Sequence, residues 1–344
     1  MRISDFDYEL PPEAIAQEAM EPRDAARLMR LPRAGGAPTD HVFRDLPRLL
    51  RAGDLLVVNR SRVFPARLLG RRAGGGQAEV LLLRPEGDER WEAMVRPGRR
   101  LRPGDVVAVD DDLSVAIETE ARGEDGRRRV RLAAKSGAVA AALERAGHVP
   151  LPPYIRRPDR RDDRDRYQTV YARETGSVAA PTAGLHFTPA LLDALRAAGI
   201  DVAEVVLHVG PGTFRPVTAD EVEDHRLEGE PYVIPPETAE AIVAARARGA
   251  RVVAVGTTVV RTLEAAARDD GTVDAGAGET DLVIRPGFRF RTTDALVTNF
   301  HLPRSSLLLL VAAFAGRERV LDAYAEAVRR AYRFYSYGDA MLLE

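Results

Sequence analysis

The second half of the chain alternates short apolar runs with amphipathic helices, and this alternation limits the choice of fold more than any other feature. The predicted strands are DVAEVVLHVG, RVVAVG and DALVTN, and predicted helices precede, separate and follow them. One of these helices has Thr188 as its cap and Pro189 at its first position, as helix N-termini prefer. Strands that alternate with helices form a mostly parallel or mixed sheet with helices packed on it. We therefore expect an α/β fold, a mixed sheet covered by helices.

The pattern of apolar and polar residues is different between residues 65 and 134. Short apolar runs are separated there by Gly, Pro and charged residues, with no helix-period run between them; they are Glu79–Leu83, Val106–Val109, Leu113–Ile117 and Arg129–Leu132. This spacing predicts a small antiparallel β-barrel or sandwich. A chain of 344 residues is long enough for two domains. We expect an α/β catalytic domain made of residues 1–64 and 135–344, with the β-barrel inserted as residues 65–134.

The ends of the predicted strands mark the expected site. In α/β sheets, ligands bind beyond the carboxyl ends of the strands. His208, Gly256 and Asn299 all fall at such ends. In VAVGTTVVRTLE, Gly256 permits a tight turn before a helix, and the free N–H groups around Thr257 and Thr258 attract an anion. The motif is not a phosphate-binding loop, and an ordinary capped helix is the alternative.

Three histidines precede turn-forming residues and are candidates for chemistry: His186, His208 and His301. Acid–base catalysis suits them because histidine titrates near neutral pH. A zinc site with three histidines is the alternative, but no His-x-His or His-x-x-x-His spacing supports it. A structural, hydrogen-bonded histidine is a third possibility. The chain has no cysteine, which excludes disulfides and thiolate sites. We predict no metal.

Charge and hydropathy bear on partners and location. The formal net charge is −2, so any polyanion must be bound by local arginine clusters. The two candidates are Arg96–Arg102 and Arg156–Arg166, with solvated loops as the alternative reading of both. The longest apolar run, LLLLVAAFAG, is too short to span a bilayer. We expect a cytoplasmic protein with no membrane contact.

Nine motifs, in order and across essentially the whole chain, together resemble the S-adenosylmethionine:tRNA ribosyltransferase-isomerase family of queuosine biosynthesis. They are MRISDFDYELPPEAIAQ, LLVVNRSRVFPARLLG, PLPPYI, RYQTVYA, VAAPTAGLHFT, LHVGPGTFRPV, VVAVGTTVVRTLE, LVTNFHLPRSSLLLLVAAFAG and YRFYSYGDAMLL.

The resemblance implies a transferase for tRNA modification. Such an enzyme transfers and isomerises the ribosyl group of S-adenosylmethionine onto 7-aminomethyl-7-deazaguanine at the tRNA wobble position. The products are epoxyqueuosine-tRNA, adenine and methionine. S-adenosylmethionine is then a co-substrate, with no tightly bound cofactor, and the partner is the anticodon stem-loop of tRNA. A monomer is expected.

The resemblance also assigns roles within the matching motifs. His186 or His208 is the expected general base, and the helix N-terminus at Thr257 with Arg261 is expected to bind the methionine carboxylate. Asn299 and His301 are expected to orient ribose or adenine. The full set of expected substrate-binding residues is Asn59, Arg62, Pro181, Thr182, Gly184, Gly210, Thr213, Thr257, Thr258, Arg261, Asn299 and His301.

Two positions depart from the family pattern. Arg60 stands where the family usually has an asparagine, and Leu227–Glu228 stands where a Met-His pair usually follows the equivalent of His225. Two other functions remain open from the sequence. A non-catalytic relative would bind tRNA without releasing adenine. The second open function is that of an α/β enzyme acting on a free nucleotide. The sequence has no phosphate-binding loop, which disfavours this function.

Overall fold

A computed structural model of the chain describes residues 1–123, 126–210, 212 and 217–344. Its strands are β1 (Arg27–Leu31), β2 (Thr39–Val42), β3 (Leu55–Asn59), β4 (Ser61–Val63), β5 (Arg67–Arg72), β6 (Gln77–Gly87), β7 (Arg90–Arg96), β8 (Val106–Ala108), β9 (Leu113–Ile117), β10 (Arg128–Ala134), β11 (Glu174–Ser177), β12 (Asp201–Leu207), β13 (Glu230–Ile234), β14 (Val252–Val255), β15 (Gly276–Thr280), β16 (Ala295–Asn299) and β17 (Ala340–Leu343). Its α-helices are α1 (Leu46–Leu49), α2 (Val139–Ala146), α3 (Asp163–Arg166), α4 (Pro189–Ala197), α5 (Pro236–Ala247), α6 (Thr257–Ala265), α7 (Ser306–Ala315) and α8 (Arg317–Arg329).

A nine-stranded mixed sheet forms the body of the protein, in the order β15-β13-β12-β3-β14-β16-β17-β1-β2. Its four central strands, β12, β3, β14 and β16, run parallel to one another. Antiparallel strands flank them, because β13 pairs with β12 and β17 pairs with β16. The prediction of an α/β fold with a mixed sheet is confirmed.

Helices cover both faces of this sheet, so the central strands are buried and largely apolar. Every residue of β3, β14 and β16 is buried. Side chains of α5 to α8 contribute to the larger apolar cluster, and those of α1 and α4 to the one on the other face. Each buried Leu or Val contributes about 1.5–3 kcal/mol relative to an exposed one. The sheet therefore provides a rigid base for whatever its strand ends carry.

Six further strands, β5 to β10, close into a barrel in the order β10-β7-β6-β5-β8-β9. Alternate residues point inward, as in β9, where Leu113, Val115 and Ile117 are buried. The predicted antiparallel barrel is thus confirmed as an element of the fold. The domain boundaries at 65 and 134 stay a prediction, and the barrel strands lie between Arg67 and Ala134.

Three local features complete the fold. Ala138 occupies the N-cap position of α2, while Ser136 donates hydrogen bonds to Asp112. The segment after Pro11 forms a single 3₁₀ turn, Pro12–Ala14. The short strand β4, which follows β3 closely, pairs with β11. None of the helices in the described ranges is long and apolar enough to cross a membrane.

Candidate active site

The four parallel strands place four polar positions at one edge of the sheet. β3 ends at Asn59 and β16 at Asn299, while His208 follows β12 and Gly256 follows β14. Because these strands are parallel neighbours, their carboxyl ends meet at the same edge. The strand ends singled out from the sequence therefore lie together at one edge of the sheet.

A narrow cleft, which we call the strand-end cleft, opens at this edge and has a volume of about 40 Å³. It is lined by Ala179, Ala180, Pro181, Thr182, Ala183, Val209, Gly256, Thr257, Thr258, Thr298, Asn299, His301, Leu307, Tyr335 and Ser336. This volume holds only a few water molecules. A nucleoside-sized ligand must therefore extend beyond the cleft.

A wider cavity adjoins it between the barrel and the body, with a volume of about 500 Å³; we call it the barrel cavity. Its walls are formed by Leu83, Arg84, Pro85, Glu92, Arg127, Thr175, Gly176, His208, Val209, Gly210, Glu228, Gly229, Glu230, Pro231 and Glu279. Val209 lines both spaces. A ligand that begins in the strand-end cleft can continue past Val209 into the barrel cavity.

The N-terminus of α6 faces the strand-end cleft. Gly256 precedes the helix with a φ of +91°, a conformation that favours glycine. No side chain caps this end, so its first N–H groups lack an intrahelical partner. Thr257 and Thr258, the first residues of α6, line the cleft. The arrangement can bind an anionic group such as a carboxylate.

Asn299 is the centre of a hydrogen-bond network below the cleft. Its Nδ2 donates to the carbonyl of Tyr335 at 3.1 Å, which can only accept, so the orientation of the amide is defined. Thr182 Oγ1 then donates to Asn299 Oδ1 at 3.0 Å. The same Nδ2 lies 3.3 Å from Nε2 of His186, which must therefore be the acceptor.

His186 lies one layer deeper than the cleft wall. Its ring packs against Phe43, with ring centroids 4.9 Å apart. Burial, with the nearby positive charges of Arg333 and Arg23, lowers the pKa of His186 to about 3. The imidazole is therefore neutral at physiological pH, with its Nε2 occupied by Asn299.

His301 lines the cleft itself and is also buried. Its Nε2 is hydrogen-bonded to Thr298 Oγ1 at 2.9 Å, and its backbone is held by Tyr8 and Tyr324. Burial lowers the pKa of His301 to about 3. The side chain can orient a ligand in the cleft as a neutral group.

His208 lies half-buried in the barrel cavity. Its ring packs against the backbone of Gly176, where an added Cβ would lie 2.8 Å from Cε1. Its buried Nδ1 has no hydrogen-bond partner among the described residues. Burial lowers the pKa of His208, and the carboxylate of Glu174 opposes that shift. A neutral imidazole with a free nitrogen in a cavity is the arrangement that a general base requires.

Arg261 and Glu230 form a buried ion pair behind the barrel cavity. Arg261 Nη1 donates to Glu230, Nε donates to the carbonyl of Leu282 at 3.0 Å, and Nη2 donates to that of Thr280 at 3.1 Å. The other oxygen of Glu230 accepts from the N–H of Gly210 at 2.8 Å. The guanidinium thus connects α6 to β13, β15 and the chain after β12.

Asn59 holds two strands together at the same edge. Its Oδ1 accepts from the N–H groups of Ser61 and Leu207, and its Nδ2 donates to the carbonyl of Leu207 at 3.0 Å. Arg62 is exposed, opposite Thr175 in the pairing of β4 with β11. Neither residue lines the strand-end cleft in the described part of the chain.

The remaining expected residues shape the wall. Pro181 and Thr182 line the cleft. Gly184 is packed so closely that an added Cβ would lie 2.2 Å from the hydroxyl of Tyr171. Thr213 lies outside the described residues.

The wall also contains residues that were not predicted from the sequence, and Tyr335 and Ser336 are among them. Tyr335 has a φ of +73°, which is strained for a non-glycine residue and often marks a functional position. The signal was present in the sequence as YRFYSYGDAMLL, but an aromatic run of this kind is more often part of a core. Among the described residues, no three His, Asp or Glu side chains group closely enough to hold a metal ion.

Comparisons with known proteins agree with this geometry. A family described as "Queuosine biosynthesis protein" matches residues 3–343. The "S-adenosylmethionine:tRNA ribosyltransferase-isomerase" of Moorella thermoacetica is 56% identical over 346 residues, covering 100% of both chains. The protein of the same name from Geobacter metallireducens is 52% identical with the same coverage.

A solved structure is similar as well. It is the S-adenosylmethionine tRNA ribosyltransferase of Thermotoga maritima, 42% identical in sequence, with a TM-score of 0.57. The match covers 99% of this chain and 100% of that one.

Proposed function

This chain belongs to the family of queuosine biosynthesis proteins, and from that premise we propose that it is an S-adenosylmethionine:tRNA ribosyltransferase-isomerase. It transfers and isomerises the ribosyl group of S-adenosylmethionine onto 7-aminomethyl-7-deazaguanine at the tRNA wobble position. Epoxyqueuosine-tRNA forms, and adenine and methionine leave. The observation that carries the proposal is full-length identity of 52–56% to proteins of that name.

The donor would lie across the two connected spaces. The methionine carboxylate would be bound in the strand-end cleft by the uncapped N-terminus of α6. Thr182 and His301 then orient the nucleoside, with Asn299 holding Thr182 in place. The sulfonium acidifies the C5′ protons of the ribose. A base removes one of them, the glycosidic C–N bond breaks and adenine leaves. The amine of the deazaguanine forms a new C–N bond to the ribosyl group and loses a proton, and the C5′–S bond breaks as methionine leaves.

We propose His208 as that base, in preference to His186. His208 lines a cavity of sufficient size and has a free Nδ1, whereas His186 is enclosed by Phe43 and Asn299. His186 would instead act as a positioning residue, since its lone pair fixes the amide of Asn299. Arg261 stays a predicted carboxylate ligand, although Glu230 already neutralises its charge. Because one chain lines both spaces, we propose a monomer, working in the cytoplasm where tRNA is available.

The assay that tests the function measures free adenine. The purified protein, S-adenosylmethionine and tRNA bearing the 7-aminomethyl-7-deazaguanine precursor are expected to release one adenine per modified tRNA. Unmodified tRNA is the matched control and is expected to release none. Binding of tRNA without adenine release would instead support the non-catalytic relative.

Removal of metal is expected to leave this activity unchanged. The chemistry proposed here uses only side chains and a helix N-terminus. Protein washed with a chelator should contain well under one metal ion per chain and keep its rate of adenine release. A stoichiometric zinc ion whose removal stops the reaction would contradict this expectation.

A further inference from the structure

A second groove separates the barrel from the body, apart from the two spaces already described; we call it the proline groove. It has a volume of about 360 Å³. It is lined by Arg67, Glu79, Leu81, Met94, Arg96, Pro150, Leu151, Pro152, Pro153, Ile155, Arg157 and Val178. The proposed chemistry of the transfer step makes no use of it.

The lining combines an apolar surface with positive charge. Three prolines, Leu81, Met94 and Leu151 provide flat or flexible apolar contact. Burying the face of a planar ring against such a surface is favourable at roughly 25 cal/mol per Å² of apolar area. The volume is that of a small organic group and not of a folded partner. A planar aromatic ring attached to an anionic group matches both properties.

The arginines of the groove differ in whether they are neutralised. Arg67 pairs with Glu79 at 3.0 Å, and Arg157 pairs with Asp163 at 2.7 Å. Arg96 is exposed and has no carboxylate partner within the described residues. The same holds for Arg99 and Arg100, which are exposed in the turn that follows β7. Positive charge is therefore available at one rim of the groove, on the barrel side.

The other arginine cluster considered from the sequence is largely used within the fold. Arg157 and Arg160 pair with carboxylates, and Arg164 donates to the carbonyls of residues 144, 145 and 147. Arg166 pairs with Glu21. Arg156 and Arg161 are exposed and have no carboxylate partner among the described residues. Positive charge that can bind a polyanion therefore lies at Arg96, Arg99 and Arg100 on the barrel side, and at Arg156 beside the groove residue Arg157 on the other.

The proline groove is joined to the strand-end cleft through consecutive residues. Val178 lines the groove, while Ala179 and Ala180 line the cleft. The segment 150–155 makes a second connection: Tyr154, next to Pro153, packs edge-on against Tyr335 of the cleft wall, with ring centroids 4.0 Å apart. A nucleotide in the groove would therefore lie beside the S-adenosylmethionine that the proposed function places in the cleft, which is where the target base must also come.

We propose that the proline groove binds an unpaired nucleotide of the tRNA anticodon loop that directly neighbours the target base. Its base lies against the prolines and Met94, and its phosphate is bound by Arg96 with Arg99 and Arg100. Single-stranded loops are the parts of RNA whose bases can be splayed into separate pockets. The inference rests on the proposed function, since it requires tRNA to be the substrate.

The electrostatic test compares the removal of arginine charge at the groove with its removal elsewhere. In the triple variant Arg96→Gln, Arg99→Gln, Arg100→Gln, the slope of log K for tRNA against log salt is expected to fall by about 0.7, the contribution of one phosphate on a single strand. The affinity for S-adenosylmethionine should not change. Arg289→Gln, at an exposed position that lines none of the described cavities, is the control and should keep the full slope.

The second test measures whether a base of the anticodon loop enters the proline groove. 2-Aminopurine is placed on either side of the target in an anticodon stem-loop, and its fluorescence change on binding is measured. One of the two positions is expected to respond in the wild type. Leu151→Trp, which fills the groove, should remove that response and weaken stem-loop binding about tenfold, whereas Leu151→Met should keep both.

The two experiments and the adenine assay distinguish failure of this proposal from failure of the proposed function. If the wild type releases adenine but the triple variant keeps its salt slope, or Leu151→Trp keeps the 2-aminopurine response, tRNA binds elsewhere and the proposal is overturned. If the wild type releases no adenine from the precursor tRNA, the proposed function itself fails.

Discussion

Replacing His208 by Ala is expected to reduce adenine release by about 10²–10⁴-fold, the usual contribution of a general base. The reason is geometric: the half-buried ring of His208 lines the barrel cavity, beside the strand-end cleft. Binding of tRNA should stay near the wild-type value, because the substitution removes no positive charge at neutral pH. Single-turnover release of adenine, with tRNA binding measured separately, checks this.

The pH profile gives an independent readout of the same residue. Burial lowers the pKa of His208 below its ordinary value of 6.5. A general base must be deprotonated to act, so kcat/KM should rise with pH through a midpoint below pH 6.5 and then level off. His208→Ala should lose this acidic limb.

Two other histidine variants serve as comparisons. His41→Ala, on β2 near the far edge of the sheet, should keep full activity. His186→Ala should lose activity by freeing the amide of Asn299, and His186→Gln should recover part of it, because a glutamine oxygen can accept from the same Nδ2. Losses under threefold in both His208→Ala and His186→Ala would exclude both as the base.

Replacing Arg261 by Met is expected to lower the free energy of unfolding by about 3–5 kcal/mol, because it leaves the buried carboxylate of Glu230 without its cation. Natural proteins have only about 5–15 kcal/mol of stability, so this is a large fraction. Urea unfolding followed by circular dichroism measures the change. The double variant Arg261→Met, Glu230→Gln should regain part of the loss.

The control for this experiment is Arg289→Met, at an exposed arginine without a carboxylate partner among the described residues. It should change stability by no more than about 0.5 kcal/mol. The opposite pattern, an unchanged free energy of unfolding with a raised KM for S-adenosylmethionine in Arg261→Met, would favour the carboxylate-binding role predicted from the sequence.

The strands missed by sequence reasoning share a physical cause. β1 (RLMRL) and β17 (AMLL) lie near the two ends of the chain and pair with each other, and β17 also pairs with β16. The other partner of β1 is β2, the next strand in the chain. β15 (GAGET) has no apolar periodicity. Its strand conformation comes from pairing with β13 over Gly276–Thr280. A pattern within a short window cannot report such pairings, because tertiary contact decides them.

The sequence by itself determined the main architecture and the edge that carries the site. Hydrophobic periodicity is a local property of the sequence. It was sufficient to predict β12, β14 and β16, the helices after them and the barrel. The N-cap of α4 at Thr188 also followed from local chemistry, since its side chain accepts from Leu191 N–H. Nine ordered motifs were sufficient to identify the family.

Only the tertiary structure distinguished the three histidines and the two arginine clusters. All three histidines stand in similar local sequence, yet His186 and His301 are enclosed and His208 faces a cavity. Likewise, Arg261 is paired with Glu230, 31 residues away, while Arg96 faces the proline groove. The reason is that burial, charge pairing and hydrogen-bond partners come from residues distant in the chain, and these set the protonation state and availability of each group.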